Sequence, residues 1–155
     1  MIKVQETRLS PIRIVTLKHA GPYENIGPVF DRLFDWIETN NVPVQRTIGI
    51  YYDNPDYVSA AQLRSAACVE VPVGYQLPNH GPEFQVQEIA GGPYATTRFV
   101  GSYEKLGPVW EELTRYVERI MVKKISDNPA FEVYVNDASE TPPEQLITEL
   151  YMPLA

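Results

Sequence analysis

The sequence predicts an α+β fold: two related β-β-α-β-β halves with pseudo-twofold symmetry, forming an antiparallel curved sheet with two helices laid against it. Two observations predict it. A segment starting at Gly21 returns 80 residues later at Gly101, and seven of thirteen paired positions are identical across GPYENIGPVFDRL and GSYEKLGPVWEEL. A repeat occurring twice argues for two halves of one domain, not a solenoid array. Each half also holds one helix-length amphipathic run among several short β-rich runs. Strands that outnumber helices in this way pair as antiparallel hairpins, not as βαβ crossovers.

The elements follow in order. Residues 2–9 alternate, with Ile2 and Val4 against Lys3 and Gln5, as a half-buried strand does. After Pro11, residues 12–19 are β-branched and read as a second strand. A helix is expected over 24–39, with Pro28 confined to its first turn and Ile26, Phe30, Leu33 and Ile37 on one face. Strands are expected over 47–52 and 66–71, separated by a turn at Asp53-Asn54-Pro55-Asp56 and a helical turn over 59–63. Residues 73–82, rich in Gly and Pro, read as the loop joining half one (about 1–72) to half two (about 83–155). The second half repeats the order: strands over 84–89 and 94–100 around Gly91-Gly92, then a helix over 104–122. That helix presents Leu106, Trp110, Leu113, Val117 and Ile120 on its apolar face. Strands over 131–135 and 149–154 close the chain, with Tyr52-Asp53-Asn54 answered by Tyr134-Val135-Asn136. A cleft is expected at the seam of the halves.

Composition narrows the function. The 155 residues are 44% hydrophobic and 21% charged, which suits a single globular domain, 1–155. Thirteen basic against twenty acidic residues leave a net charge of −7, which argues against direct nucleic-acid binding. Such a charge favours cationic small molecules or a basic protein surface. One cysteine, Cys68, excludes an intrachain disulfide and a cysteine-rich zinc site; it reads as a small buried hydrophobe. No signal-peptide core or membrane-length apolar run is present, so a cytoplasmic location and no membrane partner are expected.

Catalytic and nucleotide-binding motifs are missing: no GxSxG, HExxH, Walker or GxGxxG pattern occurs, and no cofactor is expected. The two histidines, His19 and His80, lack metal-ligand spacing, so no metal site is expected. Aromatic residues are the more telling set, with ten Tyr, five Phe and two Trp. Phe30 and Trp110 hold equivalent helix positions, while Tyr52, Tyr134 and Tyr151 lie at strand ends. Aromatic walls around a carboxylate suit flat cations. Glu149 is a carboxylate candidate, on a strand face with Tyr151 and Pro153 and opposite Leu150, Met152 and Leu154. Alternation alone leaves open whether that face is solvent or site.

GPYENIGPVFDRLFDWIETN, the YYDNPD run and the ending FEVYVND…PPEQLITELYMPL resemble the GyrI-like family, part of the gyrase-inhibitory and effector-binding superfamily. The resemblance covers nearly the whole chain. It implies a SOUL-like effector-binding fold and a bacterial protein that binds amphipathic or cationic small molecules, in toxin or drug protection. In regulators of this kind a glutamate in the final strand sits among aromatics in the effector cleft, and the matching residue is Glu149. The expected ligand set is therefore Glu149, Tyr151, Trp110, Phe30, Tyr134 and Tyr52. The resemblance also implies two alternatives: hydrolysis of strained electrophilic toxins, with Glu149 as base and Tyr134 or Tyr151 as donor, or contact with DNA gyrase. The oligomeric state is not legible.

Overall fold

The β-branched run after Pro11 forms the middle of a sheet, and this sets the architecture of the first compact unit, Pro11–Ile89. In the computed structural model, residues 2–78 and 81–155 are described. Strand β2 (Ile12–Ala20) follows β1 (Gln5–Leu9), and buries Ile14, Val15, Thr16 and Leu17 in succession. A strand covered on both faces reads as a continuous apolar run. Its neighbours are antiparallel: β4 (Arg64–Glu70) on one side and β5 (Phe84–Ile89) on the other, with β3 (Thr47–Tyr51) beyond β4. Helix α1 (Gly27–Asn40) starts with Pro28 in its first turn, where the missing N–H costs nothing. It ends at Asn41, whose left-handed conformation (φ 52°) suits asparagine. Leu33 of α1 packs onto Val15, Leu17, Ala67 and Val69, and Trp36 stacks on Phe84 at 4.5 Å.

The second unit, Met1–Ser10 with Ala90–Ala155, repeats the plan. Strand β6 (Gly92–Val100) is flanked by β1 and β8 (Ile147–Pro153), and β7 (Ala130–Tyr134) pairs beyond β8. Helix α2 (Leu106–Arg119) lays Leu106, Val109, Leu113 and Val117 on Leu150, Met152 and Leu154. The alternation expected in the last strand is therefore present. Its Leu/Met face lies under the helix, and Glu149 and Tyr151 point the other way.

The strand β1 departs from the expected halves, because it pairs with β6, not β2, while β5 pairs with β2. Sequence proximity favoured hairpins within each half, but ladder register decides the partner. Thr97 Oγ1 also donates to the Lys3 carbonyl at 2.7 Å, fastening the N-terminal segment to the second unit. Both helices start later than expected, each after a single 3-10 turn, Tyr23–Asn25 and Tyr103–Lys105. Helix α2 also ends early. Val122 takes a left-handed conformation (φ 52°), and Ile120, expected on the apolar face, is 66% exposed. No helix among the described residues is long and apolar enough to cross a membrane.

Candidate ligand-binding site

The sequence places Glu132 and Tyr134 two residues apart on β7, hence on one face. The register fixes which face: Glu132 lies opposite Leu150 and Tyr134 opposite Thr148, the side covered by α2. Trp110, one helical turn before Leu113, comes down onto the same spot. Its indole Nε1–H donates to Glu132 Oε2 at 2.6 Å, and the Tyr134 hydroxyl donates to Glu132 Oε1 at 2.8 Å. Glu132 is only 4% exposed. A buried carboxylate without hydrogen bonds is strongly disfavoured, so this pair of donors is what makes the position tenable. Tyr103 stands its ring edge-on to Tyr134, with centroids 5.4 Å apart. Burial, followed by the negative charges of Glu132 and Asp137, raises the Tyr103 hydroxyl above its usual 10.0, so it remains neutral near pH 7. Thr148 Oγ1, on the same face, is buried and has no hydrogen-bond partner among the described residues. The result is a carboxylate ringed by three aromatic residues, an arrangement that attracts cations with apolar bodies.

The expected site residues fall into four places. Trp110 and Tyr134 converge on Glu132. Glu149 and Tyr151 lie on the opposite face of the sheet, where Tyr151 donates to Glu149 Oε1 at 3.3 Å. There Glu149 pairs with Arg98 at 2.8 Å, its cross-strand neighbour. Tyr151 also stacks on Phe131 at 4.8 Å, and Tyr94 packs edge-on against both. Phe30 belongs to the first unit, packed against its core beside Phe34. Tyr52, also in the first unit, lies under the Arg64 guanidinium at 5.8 Å. His80 falls outside the described residues.

The internal echo is shifted by one residue. Tyr51 is the counterpart of Tyr134, since Tyr23 meets Tyr51 edge-on at 4.9 Å as Tyr103 meets Tyr134. Likewise Asp53 Oδ2 accepts from the Arg64 N–H as Asn136 Oδ1 accepts from that of Ile147. Gly49 is then the counterpart of Glu132, so only the second half carries the carboxylate. Glu132 and Tyr103 are not among the residues that the sequence singles out. The alternation of Glu132 and Tyr134 against Phe131 and Val133 in FEVYVND was the available signal.

Other candidates have structural roles. Asp53 binds Arg64, which holds its carboxyl below the usual range, and Asn54 Oδ1 accepts from the Asp56 N–H as a turn residue does. Cys68 is fully buried, and burial pushes its thiol far up.

The family described as GyrI-like small molecule binding domain matches residues 2–155. A DNA gyrase inhibitor from Escherichia fergusonii is 34% identical over 120 residues, covering 77% of this chain and 77% of that protein. Among solved structures, the EcmrR C-terminal domain is similar with a TM-score of 0.80 at 14% identity, covering 100% of this chain and 98% of that one. SAV2435 bound to tetraphenylphosphonium is similar with a TM-score of 0.66 at 18% identity, covering 99% and 94%.

Proposed function

From a chain that belongs to the GyrI-like small-molecule-binding family, we propose a protein that binds amphipathic organic cations at Glu132. The observation that carries this is the buried carboxylate held between Trp110 and Tyr134. Both neutral donors hydrogen-bond the carboxylate, which favours its ionised form. The surrounding aromatic faces supply apolar area and an electrostatic preference for cations. The Thr148 hydroxyl would gain a partner from a polar group on the ligand. A similarly folded protein, SAV2435, has been solved with tetraphenylphosphonium, a bulky aromatic cation, which makes that compound the natural first probe.

A thermal-shift panel of aromatic cations and neutral isosteres tests the proposal. A cation at 100 times its dissociation constant stabilises by about 2.7 kcal/mol, which in a chain of this size raises the Tm by roughly 5–10 °C. Neutral isosteres should shift the Tm far less. Equal shifts for cations and isosteres, or none for either, would remove the proposal.

The name of the relatives supports a second reading, contact with DNA gyrase. The net charge of −7 suits a surface that meets a basic groove. A supercoiling assay at two salt concentrations decides it: inhibition should appear at low salt and fade as screening rises. No inhibition at low salt removes this reading and leaves the cation site standing.

A further inference from the structure

Strand β5 is the last strand of the first unit's sheet, with β2 on its inner side and no strand described on its outer side. The ladder shows which backbone groups it leaves outward. The Arg13 carbonyl accepts from the Val71 N–H, so Arg13, Val15 and Leu17 direct their backbone towards β4. Ile12, Ile14 and Thr16 then turn to β5 and engage Ile89, Gln87 and Gln85. Val86 and Glu88 consequently face outward with both N–H and C=O. Phe84 fits the same parity, since its N–H leaves the ladder to reach the Gly81 carbonyl at 3.2 Å.

Beside this edge lies an open depression of about 570 Å³, walled by Leu77, Pro82, Phe84 and Val86 and by the amides of Gln76, Gln85 and Gln87. Arg13 is its cation. The guanidinium donates twice to the Tyr75 carbonyl, through Nε at 2.8 Å and Nη2 at 2.6 Å, which fixes its orientation and leaves further N–H groups available. Among the described residues no carboxylate lies within 4.0 Å of it; Glu88, its cross-strand neighbour, is exposed and does not close the pair. An edge without a partner strand is a template for pairing with another chain, and among the described residues this one borders an apolar groove with a fixed cation.

We propose that β5 is a peptide-docking edge. An extended segment with a free carboxylate adds as a strand alongside Val86 and Glu88, its apolar side chains in the depression and its carboxylate on Arg13. Strand addition of this kind draws affinity from main-chain hydrogen bonds and specificity from alternate side-chain pockets. The carboxylate requirement follows from the guanidinium, which binds carboxylates as a charge-assisted fork. The site is separate from Glu132 and does not depend on cation binding there.

The test uses the full chain and an immobilised library of hexapeptides with alternating apolar residues, each made with a free and an amidated C-terminus. Selected peptides should require the free acid. Their dissociation constants, measured by fluorescence polarisation, should rise at least about tenfold in Arg13→Gln. Glu88→Pro removes one outward N–H at an exposed edge position, where proline is tolerated, and should weaken binding comparably while leaving the melting temperature near wild type. Equal retention of acid and amide forms overturns the proposal, as does unchanged binding in Glu88→Pro or the absence of any retained peptide. A concentration-dependent dimer of the wild type that Glu88→Pro dissociates would also overturn it, assigning the edge to a second copy.

Discussion

Glu132→Gln is the most discriminating change at the scale of single residues, because it removes charge with little change of shape. The amide oxygen can keep the Trp110 bond, and the amide nitrogen can donate to Tyr134 once that hydroxyl rotates to accept. Tyr103 reports on the same charge. Its raised hydroxyl should fall towards 10.0 in Glu132→Gln, measured by absorbance titration near 295 nm. Burial and Asp137 keep part of the shift. The sign follows: the unfolded tyrosine loses its proton first, so stability is unaffected below pH 10 and declines as pH climbs from there through the folded value. A Tyr103 titration identical in both proteins would mean that Glu132 carries no charge felt at that ring. Trp110 and Tyr134 were legible as aromatics at repeated positions. Glu132 was not, since a glutamate in a strand ordinarily faces water and nothing in the sequence says that a tryptophan on a distant helix will cover it. Tyr52 was displaced by the repeat itself, for two adjacent tyrosines, Tyr51 and Tyr52, make a one-residue slip invisible until a register is known.

Elements show where helical periodicity was trustworthy and where it ran past its end. Leu113 of α2 is completely buried beside Val109 and Val117, so Leu113→Ala should cost about 2–5 kcal/mol in denaturant unfolding. Ile120 continues the same spacing but is exposed beyond the helix, and Ile120→Ser should change stability by no more than about 0.5 kcal/mol. The spacing predicts equal burial for the two, and only the chain's departure after Arg119 separates them. That departure has a cost, because Val122 is β-branched and left-handed. Val122→Gly should relieve strain of about 1–3 kcal/mol, offset by roughly 0.5–1 kcal/mol of extra freedom in the unfolded chain. The net expectation is a Tm raised by a few degrees, read by calorimetry; a lowered Tm would mean that Val122 gains more from its contacts than the strain costs. Asn41 ends α1 in the same conformation with a residue suited to it, so the sequence signalled one helix end and hid the other.

At the scale of the molecule, the repeat, the alternation and the punctuating prolines were enough to show an α+β chain of two like units with one helix each. Strand exchange was hidden. Residues 2–9 precede 12–19 in sequence, and only the ladder reveals that Gln5–Leu9 pairs with Gly92–Val100. The chemistry of the units was legible only as an acidic chain rich in tyrosine. Cation binding at Glu132 turns on one charge on one face of the sheet, and calorimetric titration of tetraphenylphosphonium into wild type, Glu132→Gln and Glu149→Gln isolates that charge. Glu149 is the internal control, a carboxylate of the same half, neutralised by Arg98 on the opposite face. Wild type should bind, Glu132→Gln should weaken binding about tenfold to a hundredfold, and Glu149→Gln should stay within about threefold. Wild-type affinity in Glu132→Gln, or its loss in Glu149→Gln alone, would contradict cation binding at Glu132.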